Sequence, residues 1–249
     1  MQDTGITEQQ LADELSFEAF RQTVISDYTI AFQSRQASLL GRKEVLTGKA
    51  KFGIFGDGKE VPQVAMAKFF KPGDFYAGYY RDQTFALATG AATLGQFFSQ
   101  LYADPNPEHD PHSAGRQMNC HFCTPFVDEH GNFINFTKTK NLSSGMAPTA
   151  GHLPRALGLA YASKIYRHAP VLENMTSFSN HGNEVCFCTI GDASTSEGHF
   201  WETMNAAAVS QVPLAVFVWD DGYGISVPKE FQTVKASISD ALSGFEKSR

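Results

Sequence analysis

The chain has 249 residues, of which 42% are hydrophobic and 18% are charged, a composition typical of a globular protein with a sizeable core. Lys and Arg number 20 against 26 for Asp and Glu, and the formal net charge of -6 argues against a nucleic-acid partner. No run approaches roughly eighteen consecutive apolar residues, which argues against a membrane span, and the acidic N-terminus lacks the features of a signal or transit peptide, so we expect a cytoplasmic location.

The first predicted element is a long helix over about residues 7 to 45. Thr7 and Gln10 match a capping box, and an aromatic or β-branched residue recurs at every fourth position from Phe20 to Phe32. A glycine-rich stretch follows, "FGIFGDGKEVP", whose spacing does not match the phosphate-binding pattern GxxxxGK[ST]. We therefore assign its glycines to turn geometry.

Shorter elements occupy the middle of the chain. A short helix begins near Pro62 and stops at "KPGD", and an extended segment, "FYAGYYRDQ", leads to Arg81. Helical patterns fill about 82–103, and a long loop rich in Pro, His, Asn, Gly and Ser covers about 104–146. A loop of that length in a compact domain is usually functional or disordered. The segment "PTAGHLPRALGLAYASKIYRH" returns to helix.

The cysteines offer one motif with the appearance of a metal site. Cys120 and Cys123 enclose His121 in "NCHFC", but the other half of a zinc site is missing at any finger-like spacing. Cys186 and Cys188 lie on a predicted strand with their side chains on one face. We interpret these two as small core residues.

Two bounded apolar runs end on acid. The run from Val185 to Ile190 leads into Gly191 and Asp192, and the run "PLAVFVW" leads into Asp220 and Asp221. Neither run alternates polar and apolar residues, as expected for strands covered by helices on both faces. The order strand, helix, strand predicts an α/β fold with a mostly parallel sheet, in which the carboxyl ends of the strands bind ligands.

Asp192 fits two interpretations. Residues 194 to 196 are Ser, Thr and Ser, which can cap the following helix, and Asp192 could belong to that cap. Alternatively, a helix start binds phosphate through its free backbone N–H groups, and a neighbouring carboxylate then needs a cation between the two. This second interpretation predicts Mg²⁺ with a phosphorylated ligand. Asp220 and Asp221 likewise fit either a plain turn or the second acid of such a site.

The spacing of these acids resembles a known fingerprint. "GDA" at 191 to 193 is followed after 26 residues by "DD", similar to the thiamine diphosphate pattern of Gly-Asp-Gly and a later Asn-Asn. The stretch "GDASTSEGHFWETMNAAAVSQVPLAVFVWDDGYGIS" resembles the alpha subunit of the decarboxylating component of 2-oxo acid dehydrogenases, where Asn-Gly-Tyr-Ala-Ile-Ser is typical. "GYYRD", "GRQMNCHF" and "APTAGHLPRALGLAYASK" match further landmarks in order. The resemblance covers about residues 20 to 230.

The resemblance implies one thiamine-diphosphate-binding domain over 1–249, with thiamine diphosphate and Mg²⁺ as cofactors. It implies oxidative decarboxylation of a 2-oxo acid, with branched-chain substrates favoured by "GRQMNCHF", and acyl transfer to a lipoyl-carrying partner.

The implied metal ligands are Asp192, Asp221 and the carbonyl of Tyr223. The implied cofactor contacts are Tyr80 and Arg81 to the diphosphate, Ala147 and Thr149 to the aminopyrimidine, and Gly191, Ala193 and Ser194 against the diphosphate. His121 matches a histidine near the substrate, or is a loop residue without a role.

Four residues depart from the pattern. Ala193 stands for the last glycine of the fingerprint, aspartates replace both asparagines, and Trp219 occupies a position where related sequences often carry arginine. Asp221 still offers oxygen but adds negative charge beside a diphosphate. We therefore expect the site to depend strongly on Mg²⁺ and on Arg81.

Length is the larger departure. Alpha subunits of this kind run substantially beyond 249 residues, so we expect a truncated chain or the front of a longer, fused alpha-beta polypeptide. The glutamate that activates the aminopyrimidine belongs in the family to the beta part, so we expect no catalysis without a beta subunit, in a hetero-oligomer or homodimer with the lipoyl acyltransferase core as a further partner. The alternatives are a degenerate Mg²⁺- and phosphate-binding fragment that only binds a partner, and a Mg²⁺-dependent phosphohydrolase.

Overall fold

The computed structural model describes residues 16–245. Within that range the chain forms seven α-helices and six strands. The helices are α1 (Phe17–Leu46), α2 (Glu60–Ala67), α3 (Gln83–Ala88), α4 (Leu94–Leu101), α5 (Leu153–His168), α6 (Gly198–Ser210) and α7 (Ile238–Leu242). The strands are β1 (Phe75–Ala77), β2 (Asn141–Leu142), β3 (Cys186–Gly191), β4 (Leu214–Trp219), β5 (Tyr223–Gly224) and β6 (Val227–Pro228).

The central sheet has four parallel strands in the order β2-β1-β3-β4. This confirms the predicted α/β fold, because each parallel neighbour requires a crossover connection, here α6 between β3 and β4. Gly191 pairs with Trp219 in the register of β3 and β4. The segments that follow these two residues therefore leave the sheet side by side at its carboxyl edge.

Helices cover both faces of the sheet, and each face carries its own apolar cluster. On one face Cys186, Cys188 and Ile190 pack with Leu153 and other buried residues of α5 and α6. On the opposite face Phe187 contributes to a cluster built mainly by α1 to α4. The predicted placement of Cys186 and Cys188 on one buried face is confirmed, and burial on both faces explains why β3 shows no polar alternation.

Helix α1 is 30 residues long, and its two halves have different surroundings. Ser16 caps its start by accepting a hydrogen bond from the N–H of Ala19 at 3.1 Å. The proposed capping pair Thr7 and Gln10 lies outside the described residues. The periodic side chains from Phe20 to Phe32 are exposed, whereas Ala37 and Gly41 belong to the buried second half. No helix within residues 16–245 is long and apolar enough to cross a membrane.

Other boundaries differ from the sequence expectations. The helical stretch predicted for 82–103 divides into α3 and α4, and Thr93 begins α4 with a capping box to Gln96. The long loop at 104–146 contributes the short strand β2 to one edge of the sheet. The prediction that residues 194 to 196 cap the helix after Asp192 is wrong. Residues 193–196 form a 3₁₀ turn, and α6 begins only at Gly198, after Glu197.

Candidate cofactor site

A cleft with a volume of about 880 Å³ opens at the carboxyl edge of β3 and β4. Its walls come from the segment after β1, from the turn after β3, from the end of β4 and from the β5–β6 hairpin. Nine residues predicted from the sequence lie on these walls: Tyr80, Arg81, Thr149, Gly191, Asp192, Ala193, Ser194, Asp221 and Tyr223. The location agrees with the general rule that ligands bind at the carboxyl ends of parallel strands.

Asp192 has a buried carboxylate, one oxygen of which lacks a hydrogen-bond partner among the described residues. The residue is only 4% exposed, and its Oδ2 makes no hydrogen bond to any described residue. Its side chain does not cap the 3₁₀ turn, which removes the capping interpretation for the carboxylate. Burial raises the pKa of Asp192, an N–H bond from Ala193 opposes this, and the nearby charges of Asp221 and Asp220 raise the pKa further. A cation beside Oδ2 would relieve this unfavourable environment.

Asp221 forms an ion pair that no sequence pattern indicated. Lys59 Nζ lies 2.8 Å from Asp221 Oδ2, with the lysine side chain 8% exposed and the aspartate side chain 50% exposed. Burial favours a higher pKa for Asp221, but the hydrogen bond and charge of Lys59 outweigh it, so the pKa of Asp221 lies below its usual value. Lys59 also lines the cleft. Lys59 follows Gly58 in the stretch whose glycines we assigned to turn geometry. The one hint in the sequence was Asp221 itself, a second acid in the site without an obvious positive charge nearby.

Arg81 supplies a second positive charge to the cleft. Its Nε is buried and has no hydrogen-bond partner among residues 16–245. The loop that carries Lys59 approaches closely, because a Cβ placed on Gly56 would lie 2.1 Å from the carbonyl oxygen of Arg81. An unpaired guanidinium donor on one wall and an unpaired carboxylate oxygen on the other suit an anion and a cation bound together.

Trp219 lines the cleft and is hydrogen-bonded to the buried carboxylate of Asp82. Trp219 Nε1 donates to Asp82 Oδ1 at 2.8 Å, and Gln63 Nε2 donates to the same oxygen at 2.9 Å. The hydroxyl groups of Tyr76 and Thr189 donate to the other carboxylate oxygen. One buried carboxylate thus joins β1, β3 and β4 near their carboxyl ends. Sequence reasoning missed Asp82, although it directly follows Arg81.

Asp220 serves the turn rather than the cleft. Its Oδ1 accepts from the N–H of Gly222 at 3.1 Å, and its Oδ2 pairs with Lys229 Nζ at 2.8 Å. Asp221 Oδ1 also accepts from the N–H of Tyr223, at 3.3 Å. The turn interpretation and the ligand interpretation therefore apply to different acids, with Asp220 holding the hairpin and Asp221 facing the cleft.

Two predicted site residues are not on the cleft walls. Ala147 is exposed in the loop that precedes α5. His121 is fully buried, with Nδ1 at 3.2 Å from the carbonyl of Asn119 and Nε2 without a partner among the described residues. Burial lowers the pKa of His121, with backbone hydrogen bonds opposing the shift, which favours neutral imidazole. The catalytic role of His121 stays a prediction.

The available ligand atoms restrict which metal the cleft can take. Within residues 16–245 there is no group of three or more His, Cys, Asp or Glu side chains that could hold a metal ion. A cation here would therefore rely on Asp192 and Asp221, on backbone carbonyls and on oxygens of a second ligand. Mg²⁺ has these preferences, since it usually takes one or two carboxylates together with phosphate oxygens and water.

Comparison with known proteins places the chain in a family. A family model described as the dehydrogenase E1 component matches residues 31–246. The chain belongs to the dehydrogenase E1 component family. This E1 component chain is 28% identical over 200 residues to the 2-oxoisovalerate dehydrogenase subunit alpha of Bacillus subtilis, covering 80% of this chain and 51% of the relative. It is 29% identical over 185 residues to the mitochondrial subunit alpha of Caenorhabditis elegans, covering 74% of this chain and 36% of that relative.

The human mitochondrial 2-oxoisovalerate dehydrogenase subunit alpha shows a similar relation, at 26% identity over 185 residues, which is 74% of this chain and 34% of the human protein. The E1 component chain thus spans between about a third and a half of the length of these curated relatives. The family assignment agrees with the resemblance noted from "GDA" and the residues that follow it.

Proposed function

We propose that this E1 component chain binds Mg²⁺ and thiamine diphosphate in the cleft and provides that half of the active site for decarboxylation of a 2-oxo acid. The observation that carries the proposal is that Asp192 and Arg81 both line the cleft, and that the buried Oδ2 of Asp192 and the buried Nε of Arg81 lack hydrogen-bond partners among residues 16–245. The first atom accepts a metal bond, and the second donates to a phosphate oxygen.

The cleft residues divide between metal and diphosphate. Asp192, Asp221 and the carbonyl of Tyr223 would hold Mg²⁺, and Arg81 with Tyr80 would hold the diphosphate. The remaining wall residues at 191, 193 and 194 are Gly, Ala and Ser, and their small side chains leave room for a bulky ligand beside the turn. Bound thiamine diphosphate supplies an electron sink for breaking the bond between the carbonyl carbon and the carboxylate of a 2-oxo acid.

The aminopyrimidine end would lie against the loop before α5. Thr149 lines the cleft, and exposed Ala147 is in the same loop, so that both can contact a ring through their backbone atoms. His121, which is buried in the segment before Phe122, is the proposed catalytic histidine. Its neutral ring, favoured by burial, can accept or donate a proton once the surrounding loop admits substrate.

Substrate and partners follow from the relatives. The relatives are 2-oxoisovalerate dehydrogenase alpha subunits, so we propose a branched-chain 2-oxo acid as substrate, oxidative decarboxylation with acyl transfer to a lipoyl carrier as the reaction, and a beta subunit and the acyltransferase core as partners. A cytoplasmic location and a hetero-oligomer, or a homodimer of fused chains, remain part of this proposal. The competing function is a partner-binding fragment without turnover.

Calorimetric titration of thiamine diphosphate tests the cofactor proposal. We expect binding that requires Mg²⁺, in the chain alone or after addition of a beta-type partner, and loss of that binding in Asp192→Asn. Because the pKa of Asp192 is raised, affinity should fall on acidification at a higher pH than an ordinary aspartate would dictate, since only the ionised carboxylate binds metal.

The matched control is Lys229→Gln, which removes a nearby charge from an exposed ion pair and should change affinity less than about fivefold. Equal affinity with and without Mg²⁺, or unchanged binding in Asp192→Asn, contradicts the proposal. Turnover of a branched-chain 2-oxo acid after reconstitution with a beta subunit separates the enzyme from a partner-binding fragment.

A further inference from the structure

The ion pair between Lys59 and Asp221 is the feature of the cleft that the function above does not explain. A diphosphate brings several negative charges into a cleft that already contains the carboxylates of Asp192 and Asp221. Placing like charges together in a partly desolvated site disfavours ligand binding. Lys59 lines the cleft, and its Nζ is in direct contact with Asp221.

We propose that Lys59 is a diphosphate-binding residue and that its charge offsets the carboxylate of Asp221, so that the pair enters the site as a neutral unit. An ammonium group has three donors, and within residues 16–245 Lys59 Nζ donates only to Asp221. Two donors therefore remain for ligand oxygens. This inference rests on the proposed function, because it assigns a residue to the same Mg²⁺–diphosphate site.

Lys59 is held in position by its neighbours in the chain. Glu60 is buried and forms two hydrogen bonds to Arg35, at 2.6 and 2.8 Å, while its Oε2 accepts from the N–H of Gly58 at 3.0 Å. On the other side, Gly56 lies directly against the backbone of Arg81. The backbone of this lysine is thus fixed to the same wall as Arg81, which lowers the entropic cost of presenting its charge to a ligand.

A second lysine–aspartate pair provides the contrast. Lys229 and Asp220 are also 2.8 Å apart, but their side chains are 32% and 39% exposed and neither lines the cleft. Water screens such a pair, so its removal changes little nearby. The buried position of Lys59, rather than its pairing alone, gives it a role in ligand binding.

The test uses the full 249-residue chain with inorganic pyrophosphate plus Mg²⁺ as the probe, titrated by calorimetry with and without a beta-type partner. Lys59→Gln removes the positive charge that pairs with Asp221, so we expect the affinity for pyrophosphate to fall by about tenfold or more. The double variant Lys59→Gln with Asp221→Asn removes both charges but still lacks the lysine donors, so its affinity should lie between those of Lys59→Gln and wild type. Lys229→Gln should stay within about threefold.

Asp221→Asn alone provides a test that does not depend on the folding of Lys59→Gln. It releases Lys59 from its partner, so affinity for pyrophosphate without Mg²⁺ should rise by about tenfold. Unchanged affinity in Lys59→Gln, a double variant no better than Lys59→Gln, or no rise in Asp221→Asn would each overturn the inference.

A parallel titration with thiamine diphosphate separates the two proposals. Pyrophosphate binding with the expected Lys59 pattern but no binding of thiamine diphosphate contradicts the proposed function alone. An affinity for thiamine diphosphate that is the same in Lys59→Gln as in wild type contradicts the inference alone. If wild type binds neither ligand in either setting, both are wrong.

Discussion

At the scale of single residues, Ala193 and Gly224 explain each other. The sequence shows Ala193 where the fingerprint has glycine, and Gly224 where the pattern Asn-Gly-Tyr-Ala-Ile-Ser has alanine. In the structure, a Cβ on Gly224 would lie 2.7 Å from the Cβ of Ala193. The methyl group of Ala193 thus occupies the space that a side chain at 224 would need. The departure at 193 is therefore compatible with an intact cleft wall.

The contact between positions 193 and 224 predicts that Gly224→Ala alone is less stable than the double variant with Ala193→Gly. Gly224→Ala alone should lower the free energy of unfolding by about 1–3 kcal/mol, because the new methyl group would lie 2.7 Å from the Cβ of Ala193 and 2.8 Å from Nε2 of Gln232. Adding Ala193→Gly should recover part of that loss, because it removes the contact with Ala193 but keeps the one with Gln232, and because a new glycine costs roughly 0.5–1 kcal/mol in backbone entropy. Urea denaturation of the two single variants and the double variant measures this. A fully stable Gly224→Ala would show that the hairpin moves aside freely.

At the scale of elements, helix α1 joins two different environments. Its first half exposes the aromatic stripe from Phe20 to Phe32, whereas its second half packs on the core through Ala37 and Gly41. A Cβ on Gly41 would lie 2.4 Å from a ring carbon of Phe55 and 3.3 Å from a methyl carbon of Leu101. The period of the stripe correctly indicated a helix, but periodicity does not determine what covers the apolar side chains.

Two glycine-to-alanine substitutions in helices should therefore act in opposite directions. Gly41→Ala should destabilise the protein by about 1–3 kcal/mol, because overpacking against Phe55 exceeds the helix-propensity gain of about 1 kcal/mol. Gly158→Ala in α5 should stabilise it by about 0.5–1 kcal/mol, since nothing lies within 4 Å of the new methyl group. The thermal midpoints of both variants, compared with that of wild type, test these opposite changes in stability. Stabilisation by Gly41→Ala would mean that Phe55 repacks without cost.

At the scale of the whole molecule, the cleft joins segments that are distant in the chain. The wall residues come from 79–81, from 191–194 and from the end of β4 onward, and the carboxylate of Asp82 connects the strands beneath them. A ligand that bridges Arg81 and Asp192 contacts two of these segments at once. Its binding energy should therefore appear as stability of the folded chain as a whole.

Saturating thiamine diphosphate with Mg²⁺ should raise the thermal midpoint. At a ligand concentration of about 100 times Kd the stabilisation is about 2.7 kcal/mol, which for a chain of this size corresponds to a shift of about 5–10 °C. Adding EDTA should reverse the shift, and Asp192→Asn should show none. An equal shift in the presence of EDTA would mean that the metal takes no part in holding the ligand.

The sequence by itself determined two strands of the sheet, β3 and β4, and the acids that follow them. Bounded apolar runs that end on Asp192 and on the pair Asp220 and Asp221 are local patterns, and local patterns can be read directly from the chain. The fingerprint spacing is local as well, which is why the resemblance already indicated the family. The helix cap after Asp192 failed as a prediction because residues 193–196 form a 3₁₀ turn, in which the N–H groups of Thr195 and Glu197 donate to the carbonyls of Asp192 and Ser194, and the helix begins only at Gly198.

Only the tertiary structure decided which groups surround those acids. Lys59 and Asp221 are separated by 162 positions, and Asp82 and Trp219 by 137, yet each pair is joined by a hydrogen bond of 2.8 Å. No local pattern encodes such contacts, because they depend on how the loop before α2 and the segment after β1 pack against the ends of β3 and β4. The charge of the cleft, and hence the role of Lys59, therefore follows from the fold and not from any motif.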